Sequence, residues 1–166
     1  MIDEDATEAS GSQVPPSAEY APILFIDFDG VTHREGCSAT ELFNRLPSIE
    51  AILRRHPDVF VVISSSWRRA RTLAQLTDLF SEDIAQRVIG VTPHLDDEPA
   101  YQRQAECMQW IRSHTHPWTR WAALDDQQWL FRPFCPNLIA VPWRGAGVGP
   151  VELANLDAKL HSISHY

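Results

Sequence analysis

Five short runs of apolar residues alternate with longer stretches in which apolar positions recur at helical spacing. The runs lie at residues 22–26, 59–63, 88–91, 121–124 and 138–141. Short continuous apolar runs are typical of strands that are buried on both faces of a parallel sheet. The pattern therefore predicts five strands at these positions.

The stretches between and after the runs predict four helices. Apolar residues recur every three or four positions within 38–55, 73–80, 102–113 and 151–161. Ser38 and Thr40 are candidate N-caps of the first helix, and Pro47 predicts a break or kink inside it. Because alternating strands and helices imply right-handed crossovers, the predicted fold class is α/β, a three-layer α/β/α sandwich with a central parallel sheet.

Length and composition agree with a single globular domain. The chain has 166 residues, of which 44% are hydrophobic, and this suffices for one core. Its formal net charge of −8 repels polyanions at long range and disfavours a general nucleic-acid binder. A local basic patch stays open, so nucleic acid remains a possible partner that the net charge does not indicate.

The N-terminus and the cysteines predict the compartment. Residues 1–20 are acidic and polar and lack the pattern of a secretory signal, so we expect a disordered tail there, followed by one domain over 21–166. No apolar run approaches the roughly 20 residues that cross a bilayer, so no membrane association is expected. Cys37, Cys107 and Cys135 form no CxxC pair, which argues against a disulfide framework or a zinc site. We therefore expect a cytoplasmic protein.

Polar residues directly follow three of the predicted strands. These are Asp27-Phe28-Asp29-Gly30, Ser64-Ser65-Ser66 and Asp125-Asp126. Ligands of parallel α/β sheets bind beyond the carboxyl ends of the strands, so the three groups are expected at one edge. Crowded carboxylates repel each other and require either Mg²⁺ or a protonated aspartate. Alone, an Asp-x-Asp-Gly segment is more often a solvated turn, but its position behind a buried strand favours a site for a phosphoryl group.

The same segments resemble the motifs of a known superfamily. ILFIDFDGVTH is similar to the first motif of the haloacid dehalogenase (HAD) superfamily, FVVISSSWR to the second and WAALDDQQW to the acidic fourth, and Arg103 occupies the place of the basic third. The combination of DFDGV-x-H, SSxWR, Trp110 and Gly147 resembles the HAD domain of Swiss Army Knife RNA repair proteins. The resemblance covers about residues 23–151.

The resemblance implies a phosphatase that acts through an aspartyl-phosphate. Asp27 would attack phosphorus, and Asp29 would protonate the leaving oxygen and then deprotonate water. Ser64 or Ser65 would hydrogen-bond a phosphoryl oxygen, and of the two we favour Ser65. Arg103, where the family more often has lysine, would neutralise the phosphoryl oxygens and the nucleophile.

The resemblance also implies Mg²⁺ as the cofactor. The implied ligands are oxygen atoms of four aspartates: Asp27, Asp29 through its backbone carbonyl, Asp125 and Asp126. Which of the last two binds directly stays open. Three further candidates, Gly30, Ser66 and Arg68, would contact the substrate.

Both intervals in which the superfamily carries cap domains are short, which predicts a capless or minimal-cap domain with an open site. Such a site accepts a phosphorylated substrate, either a small ester or a macromolecule such as a nucleic-acid end or a phosphoprotein. Two alternatives stay open: a catalytically silent binding module that keeps the fold, and a phosphotransferase with an acceptor other than water.

A few residues outside these motifs have two interpretations each. His33 either contacts a leaving group or is a plain loop residue. Arg69 and Arg71 either meet a substrate polyanion at the start of a predicted helix or form a solvated face, and of the two we favour the solvated face. Cys107 is either a nucleophile or a buried residue, and we expect it in the core. Four tryptophans are expected to pack in the core or against helices and not to stack on bases: Trp110, Trp118, Trp121 and Trp129.

Overall fold

The computed structural model describes residues 14–165 and contains the five-stranded parallel sheet that the apolar runs predict. The strands are β1 (Ile23–Ile26), β2 (Phe60–Ile63), β3 (Val88–Val91), β4 (Trp121–Asp125) and β5 (Leu138–Ala140). Their order in the sheet is β3-β2-β1-β4-β5, and every neighbouring pair is parallel. The predicted strands are thus confirmed to within one residue at each end, and β1 lies at the centre.

Helices cover both faces of the sheet and complete the predicted three layers. They are α1 (Leu46–Arg55), α2 (Leu73–Thr77), α3 (Glu82–Ala85), α4 (Gln102–His114) and α5 (Pro150–Ser164). Residues of α1, α2, α3 and α5 join one buried apolar cluster, and residues of α4 join the other. The fold class is confirmed.

The side chains of β1 alternate between these two clusters. Leu24 and Ile26 belong to the cluster under α1 and α5, whereas Ile23 and Phe25 belong to the cluster under α4. Alternation along a strand continues at the next residue, so Asp27 is directed to the α4 side of the sheet. The functional group that α4 contributes must therefore come from the first turns of that helix, at the carboxyl edge of the strands.

The first predicted helix is shorter than its periodicity suggested. A 3-10 turn covers Ala39–Glu41, and the α-helix begins only at Leu46. Pro47 therefore stands in the first turn, where its missing N–H costs nothing because that group has no partner within the helix. The prediction of a helix over 38–55 with a break at Pro47 is wrong for its first half, and Pro47 lies in the first turn of α1.

Part of the expected N-terminal tail is folded onto the domain. Ala18 is fully buried and Val14 packs against the cluster under α4. Tyr20 stacks on His116 with the ring centroids 4.5 Å apart. The expectation of a disordered tail is therefore corrected for residues 14–20, and residues 1–13 lie outside the described residues.

The interval between β1 and β2 holds only a 3-10 turn and α1, and the interval between β2 and β4 holds only a 3-10 turn, the short helices α2 and α3, β3 and α4. The described residues therefore form no cap domain above the sheet edge. Within residues 14–165, no helix combines the length and the apolar character needed to cross a membrane.

Candidate active site

The carboxyl ends of three adjacent strands bring the predicted polar groups together. Ile26 pairs with Ile63 on one side and with Leu124 on the other. The residue after each of these three is polar: Asp27 after β1, Ser64 after β2 and Asp125 near the end of β4. Ladder hydrogen bonds continue through this row, since Ser64 N donates to Ile26 O at 3.0 Å and Asp27 N to Leu124 O at 3.1 Å.

Three aspartates form a buried acidic cluster in this row. Asp27, Asp125 and Asp126 are at most 5% exposed, and one carboxylate oxygen from each lies within 4.8 Å of the others. Burial and the neighbouring carboxylates raise the pKa of both Asp125 and Asp126 to about 7. Burial likewise raises the pKa of Asp27, against the opposing charge of Arg103.

Gly30 allows the Asp126 carboxylate into the cluster. Its φ is +77°, and a Cβ at this position would overlap the carboxylate of Asp126. Only glycine combines this left-handed backbone with so close an approach. The structure therefore gives Gly30, predicted as a substrate contact, a clear part in shaping the acidic cluster.

Arg103 is the cation that faces the cluster from the first turn of α4. Its Nη1 donates to Asp125 Oδ2 at 2.8 Å and lies 3.4 Å from Asp27 Oδ1. Burial disfavours the guanidinium charge, but the carboxylates of Asp125 and Asp27 outweigh it and raise the pKa of Arg103. Three carboxylates thus face one guanidinium, which leaves an excess of negative charge.

The donor set of the cluster fits Mg²⁺. All three groups are carboxylates, the oxygen ligands that this ion prefers. Asp126 Oδ1 is buried and makes no hydrogen bond within the described residues, so it is a polar atom without a partner. A buried polar atom without a partner destabilises the fold unless a ligand binds to it. A divalent cation would also offset the excess negative charge.

Asp29 is held by two donors on the open side of the site. His33 Nε2 lies 2.9 Å from Asp29 Oδ1, and Trp67 Nε1 donates to Asp29 Oδ2 at 3.0 Å. Its side chain remains 41% exposed, in contrast to that of Asp27 at 7%. One carboxylate is therefore enclosed with the cluster, while the other faces solvent.

His33 is buried, and both of its ring nitrogens have partners. Nδ1 lies 3.3 Å from the backbone N of Phe43 and 3.0 Å from Thr32 Oγ1. Nε2 lies 2.9 Å from Asp29 Oδ1. Of the two interpretations of His33, the structure supports neither unchanged, because the ring orients Asp29 through a direct hydrogen bond.

The three serines after β2 occupy different environments. Ser64 lies level with Asp27 in the sheet and is 1% exposed. Ser65 is fully buried, and its Oγ accepts the N–H of Trp67 at 3.3 Å, which caps a 3-10 turn over Ser66–Arg69. Ser66 is exposed and lines a cavity of about 160 Å³ together with Arg103.

Arg68 is committed to the protein and not to the open cleft. Its five N–H groups donate, over 2.8–3.4 Å, to the carbonyl oxygens of Ser64, Ser65, Thr92 and Pro93 and to the carboxylate of Glu106. Its side chain is 5% exposed. Since a guanidinium has five donors, none remains for a substrate, and the geometry argues against the predicted substrate contact.

Two residues that position the site, Glu106 and Trp67, are not among those predicted from the sequence. Glu106 accepts from Arg68 at 2.8 Å and lies 3.9 Å from Arg103, so it anchors both arginines. Its position three residues after Arg103 on a predicted helix was the available signal. Trp67, which stands within the quoted second motif, donates to Asp29, but its indole N–H gave no indication of its partner.

The tryptophan expectation is confirmed for Trp110 and Trp121, which are buried, and wrong for Trp118 and Trp129, which are 71% and 50% exposed. The reason for Trp129 is local. The next two residues, Leu130 and Phe131, pack into the cluster under α4, and the indole is left on the outside.

A comparison with known protein families shows to which family the chain belongs. A family described as the HAD domain in Swiss Army Knife RNA repair proteins matches residues 23–145. The chain belongs to this family. The matched region of this HAD domain runs from the first residue of β1 to the turn after β5, so it includes all three strand ends. No curated protein and no solved structure matches the chain significantly.

Membership gives this HAD domain a fold of the phosphohydrolase type. The resemblance that the motifs indicated is thereby confirmed, and the polar residues of the strand ends lie where the substrates of parallel α/β sheets bind.

Proposed function

We propose that this HAD domain is a Mg²⁺-dependent phosphohydrolase in which Asp27 is the nucleophile and Asp29 the general acid and base. The observation that carries the proposal is the contrast between these two aspartates. Asp27 is enclosed with Asp125, Asp126 and Arg103, whereas Asp29 is oriented by two donors on the exposed side.

The first chemical step transfers the phosphoryl group to the protein. A carboxylate oxygen of Asp27 attacks phosphorus, the bond between phosphorus and the ester oxygen breaks, and the leaving oxygen takes the proton of Asp29. Arg103 offsets the negative charge that crowds around Asp27 and the phosphoryl oxygens.

The second step releases phosphate. Asp29, now a carboxylate, removes a proton from water, and the water oxygen attacks phosphorus. The bond between phosphorus and Asp27 breaks, which regenerates the nucleophile. The hydrogen bonds from His33 and Trp67 keep Asp29 in one orientation through both proton transfers.

The proposed Mg²⁺ ligands are Asp27, the backbone carbonyl of Asp29, Asp125 and Asp126. When bound, Mg²⁺ supplies positive charge that stabilises the phosphoryl oxygens and the acidic cluster. Among the serines, we assign the hydrogen bond to a phosphoryl oxygen to Ser64 in place of the favoured Ser65, because Ser64 lies level with Asp27 and Ser65 caps the following turn.

The proposed substrates are phosphate monoesters on partners large enough to need an open site. The short intervals between the strands support this, as they leave the sheet edge without a cap. The family's name refers to RNA repair, which supports a nucleic-acid end as one such partner. A cytoplasmic location suits the three free cysteines.

The test is hydrolysis of an aryl phosphate by the full chain, with and without Mg²⁺, in wild type and Asp27→Asn. We expect Mg²⁺-dependent turnover that Asp27→Asn abolishes, with the variant folded by circular dichroism. Asp96→Asn, on a side chain that is 98% exposed, is the matched control and retains full activity. Ser64→Ala is expected to lower turnover more than Ser65→Ala does.

Full activity of folded Asp27→Asn would contradict the covalent mechanism. Absence of turnover on every ester, with Mg²⁺ bound, would support the silent binding module. Phosphate transfer to an alcohol in preference to water would support the phosphotransferase.

A further inference from the structure

Two half-exposed tryptophans lie in a cleft beside the acidic cluster. Trp129 and Trp143 are 50% and 49% exposed and pack edge to face with centroids 5.1 Å apart. They line a cavity of about 460 Å³ together with Arg34, Glu35, Gln127 and Arg144. Exposure of apolar ring surface to water is unfavourable. A pair of exposed indoles in one cleft therefore indicates a surface that a ligand covers.

The cleft adjoins the proposed catalytic residues on two sides. Gln127 directly follows Asp126, and its backbone N–H donates to Asp125 Oδ1 at 2.9 Å. Arg34 directly follows His33, which holds Asp29. A phosphate at the acidic cluster would therefore have the rest of its molecule within reach of this cleft.

The loop that carries Trp143 is fixed against the loop after β1. Val148 N donates to Val31 O at 2.9 Å. Gly147, with φ +93°, permits this contact, because a Cβ there would lie 2.7 Å from the same carbonyl oxygen. The two walls of the cleft are therefore held together before any ligand binds.

Arg144 is placed in the cleft at a conformational cost. Its φ is +60°, in a turn closed by the hydrogen bond from Gly145 N to Pro142 O at 3.1 Å. Glycine or asparagine is favoured at such a position. Its guanidinium lies 4.2 Å from the centroid of Trp143, on the face of the ring. A strained arginine stacked on an exposed indole is better explained by contact with a ligand than by folding alone.

The lining of the cleft carries two cations in a chain that is acidic as a whole. The cleft contains Arg34 and Arg144 against Glu35, and Arg34 otherwise makes an exposed ion pair with Glu41 at 3.5 Å. The chain as a whole carries −8. The two arginines therefore offer the cleft guanidinium groups that could contact an anion, although the chain as a whole is acidic.

From these observations we infer that the cleft binds the terminal nucleotides of a phosphorylated single-stranded nucleic acid, with a base stacked on Trp129 or Trp143 and backbone phosphates contacting Arg34 and Arg144. Aromatic rings interleaved with arginines are the chemistry that binds unpaired strands, because each base offers a flat face and each linkage a negative charge. A phosphopeptide would use the charges but leave the two indoles unexplained. The inference rests on the proposed function, since it assigns the terminal phosphate to the acidic cluster.

The test measures the dissociation constant of a short 5′- or 3′-phosphorylated oligonucleotide in Mg²⁺, with all proteins carrying Asp27→Asn to prevent turnover. At least one of Trp129→Ala and Trp143→Ala is expected to weaken binding about 5- to 150-fold, the loss expected for one stacked base. Trp129→Phe keeps most of the affinity. Trp118→Ala, an exposed indole before β4, is the matched control and changes nothing.

Arg144→Gln provides a second readout. It is expected to lower the slope of log dissociation constant against log salt by about 0.7, the value for one phosphate contact on a single strand. A merely structural role of Arg144 would leave this slope unchanged.

Three outcomes separate the inference from the proposed function. If wild type hydrolyses the aryl phosphate but oligonucleotide affinity is unaffected by both alanine variants, the cleft inference is overturned and the proposed function stands. Tryptophan-dependent binding of a phosphopeptide, without oligonucleotide binding, would also overturn it. Tryptophan-dependent oligonucleotide binding in a protein that hydrolyses no ester supports the cleft and contradicts the proposed function alone.

Discussion

Asp126→Asn is expected to stabilise the metal-free protein and to remove most of its stabilisation by Mg²⁺. Asp126 is 2% exposed, and burial together with the charges of Asp27 and Asp125 raises its pKa to about 7 from an ordinary value of 3.8. The unfolded chain therefore releases this proton first as the pH rises. Stability of the metal-free protein falls between about pH 4 and pH 7, and the penalty is complete above that range.

The size of the effect follows from the shift. About three pH units correspond to roughly 4 kcal/mol. Because the three carboxylates titrate together, replacing one of them recovers part of this, about 2 to 4 kcal/mol at pH 8. For a domain of this size, we expect a rise in Tm of roughly 4 to 16 °C. Asparagine has the same shape, so no cavity opposes the gain.

The assay is thermal unfolding at pH 5 and pH 8, in chelator and in Mg²⁺. Wild type should gain stability from Mg²⁺ at pH 8, and Asp126→Asn should gain little. Asp96→Asn removes an exposed carboxylate and serves as the control. It should change neither the Tm of the metal-free protein nor the rise in Tm on addition of Mg²⁺. A metal-free Asp126→Asn protein less stable than wild type at pH 8, or one with the full response to Mg²⁺, would refute the reasoning.

Substitutions at three further residues test the surroundings of the cluster. Trp67→Phe removes the donor to Asp29 but keeps the aromatic packing, and we expect kcat for an alkyl phosphate to fall about tenfold or more with little change in KM; an unchanged kcat would exclude the positioning role. Arg103→Lys should retain measurable turnover, whereas Arg103→Met should lower kcat about 10²-fold or more. Equal losses of kcat in the two variants would show that the positive charge of Arg103 does not contribute to catalysis. Arg68→Met should lower the free energy of unfolding by about 3 to 5 kcal/mol in urea titrations, because it breaks a buried network. Arg69→Met, at the neighbouring residue, is the control and should change this free energy by less than about 0.5 kcal/mol. Equal effects of the two substitutions would contradict the buried network.

The sheet could be predicted from the sequence because its strands are short, apolar and buried on both faces. Each run from 22–26 to 138–141 became a strand within one residue of the expected ends. The positions of Asp27 and Asp125 at one edge then followed from parallel topology alone. Local rules were weaker for the helices, since Pro47 permits either a break within a helix or the start of one.

What could not be predicted depends on contacts between distant segments. Arg68 looked like a substrate contact because it follows Ser66, but its partners include Thr92 and Glu106, far away in the chain. The exposure of Trp129 is likewise decided by its neighbours, which fill the core in its place. Tryptophan is highly buried on average, and this average tendency is overridden only by the packing of a particular turn.

Of the two hydrogen bonds to Asp29, one could be predicted from the sequence and the other could not. His33 and Asp29 are four residues apart in one short loop, so their contact was within the reach of sequence reasoning. Trp67 comes from another strand end, and its contact needs the fold.

The central claim, that Asp27 carries the phosphoryl group and Asp29 activates water, is tested most directly by rapid-mixing kinetics of Asp29→Asn with nitrophenyl phosphate and Mg²⁺. This leaving group needs no acid, so the first step proceeds, while the second step lacks its base and slows about 10²- to 10⁴-fold. The covalent mechanism predicts a stoichiometric burst of nitrophenolate followed by slow turnover, with neither phase in Asp27→Asn. Steady turnover of Asp29→Asn at the wild-type rate, or a burst that persists in Asp27→Asn, would contradict it.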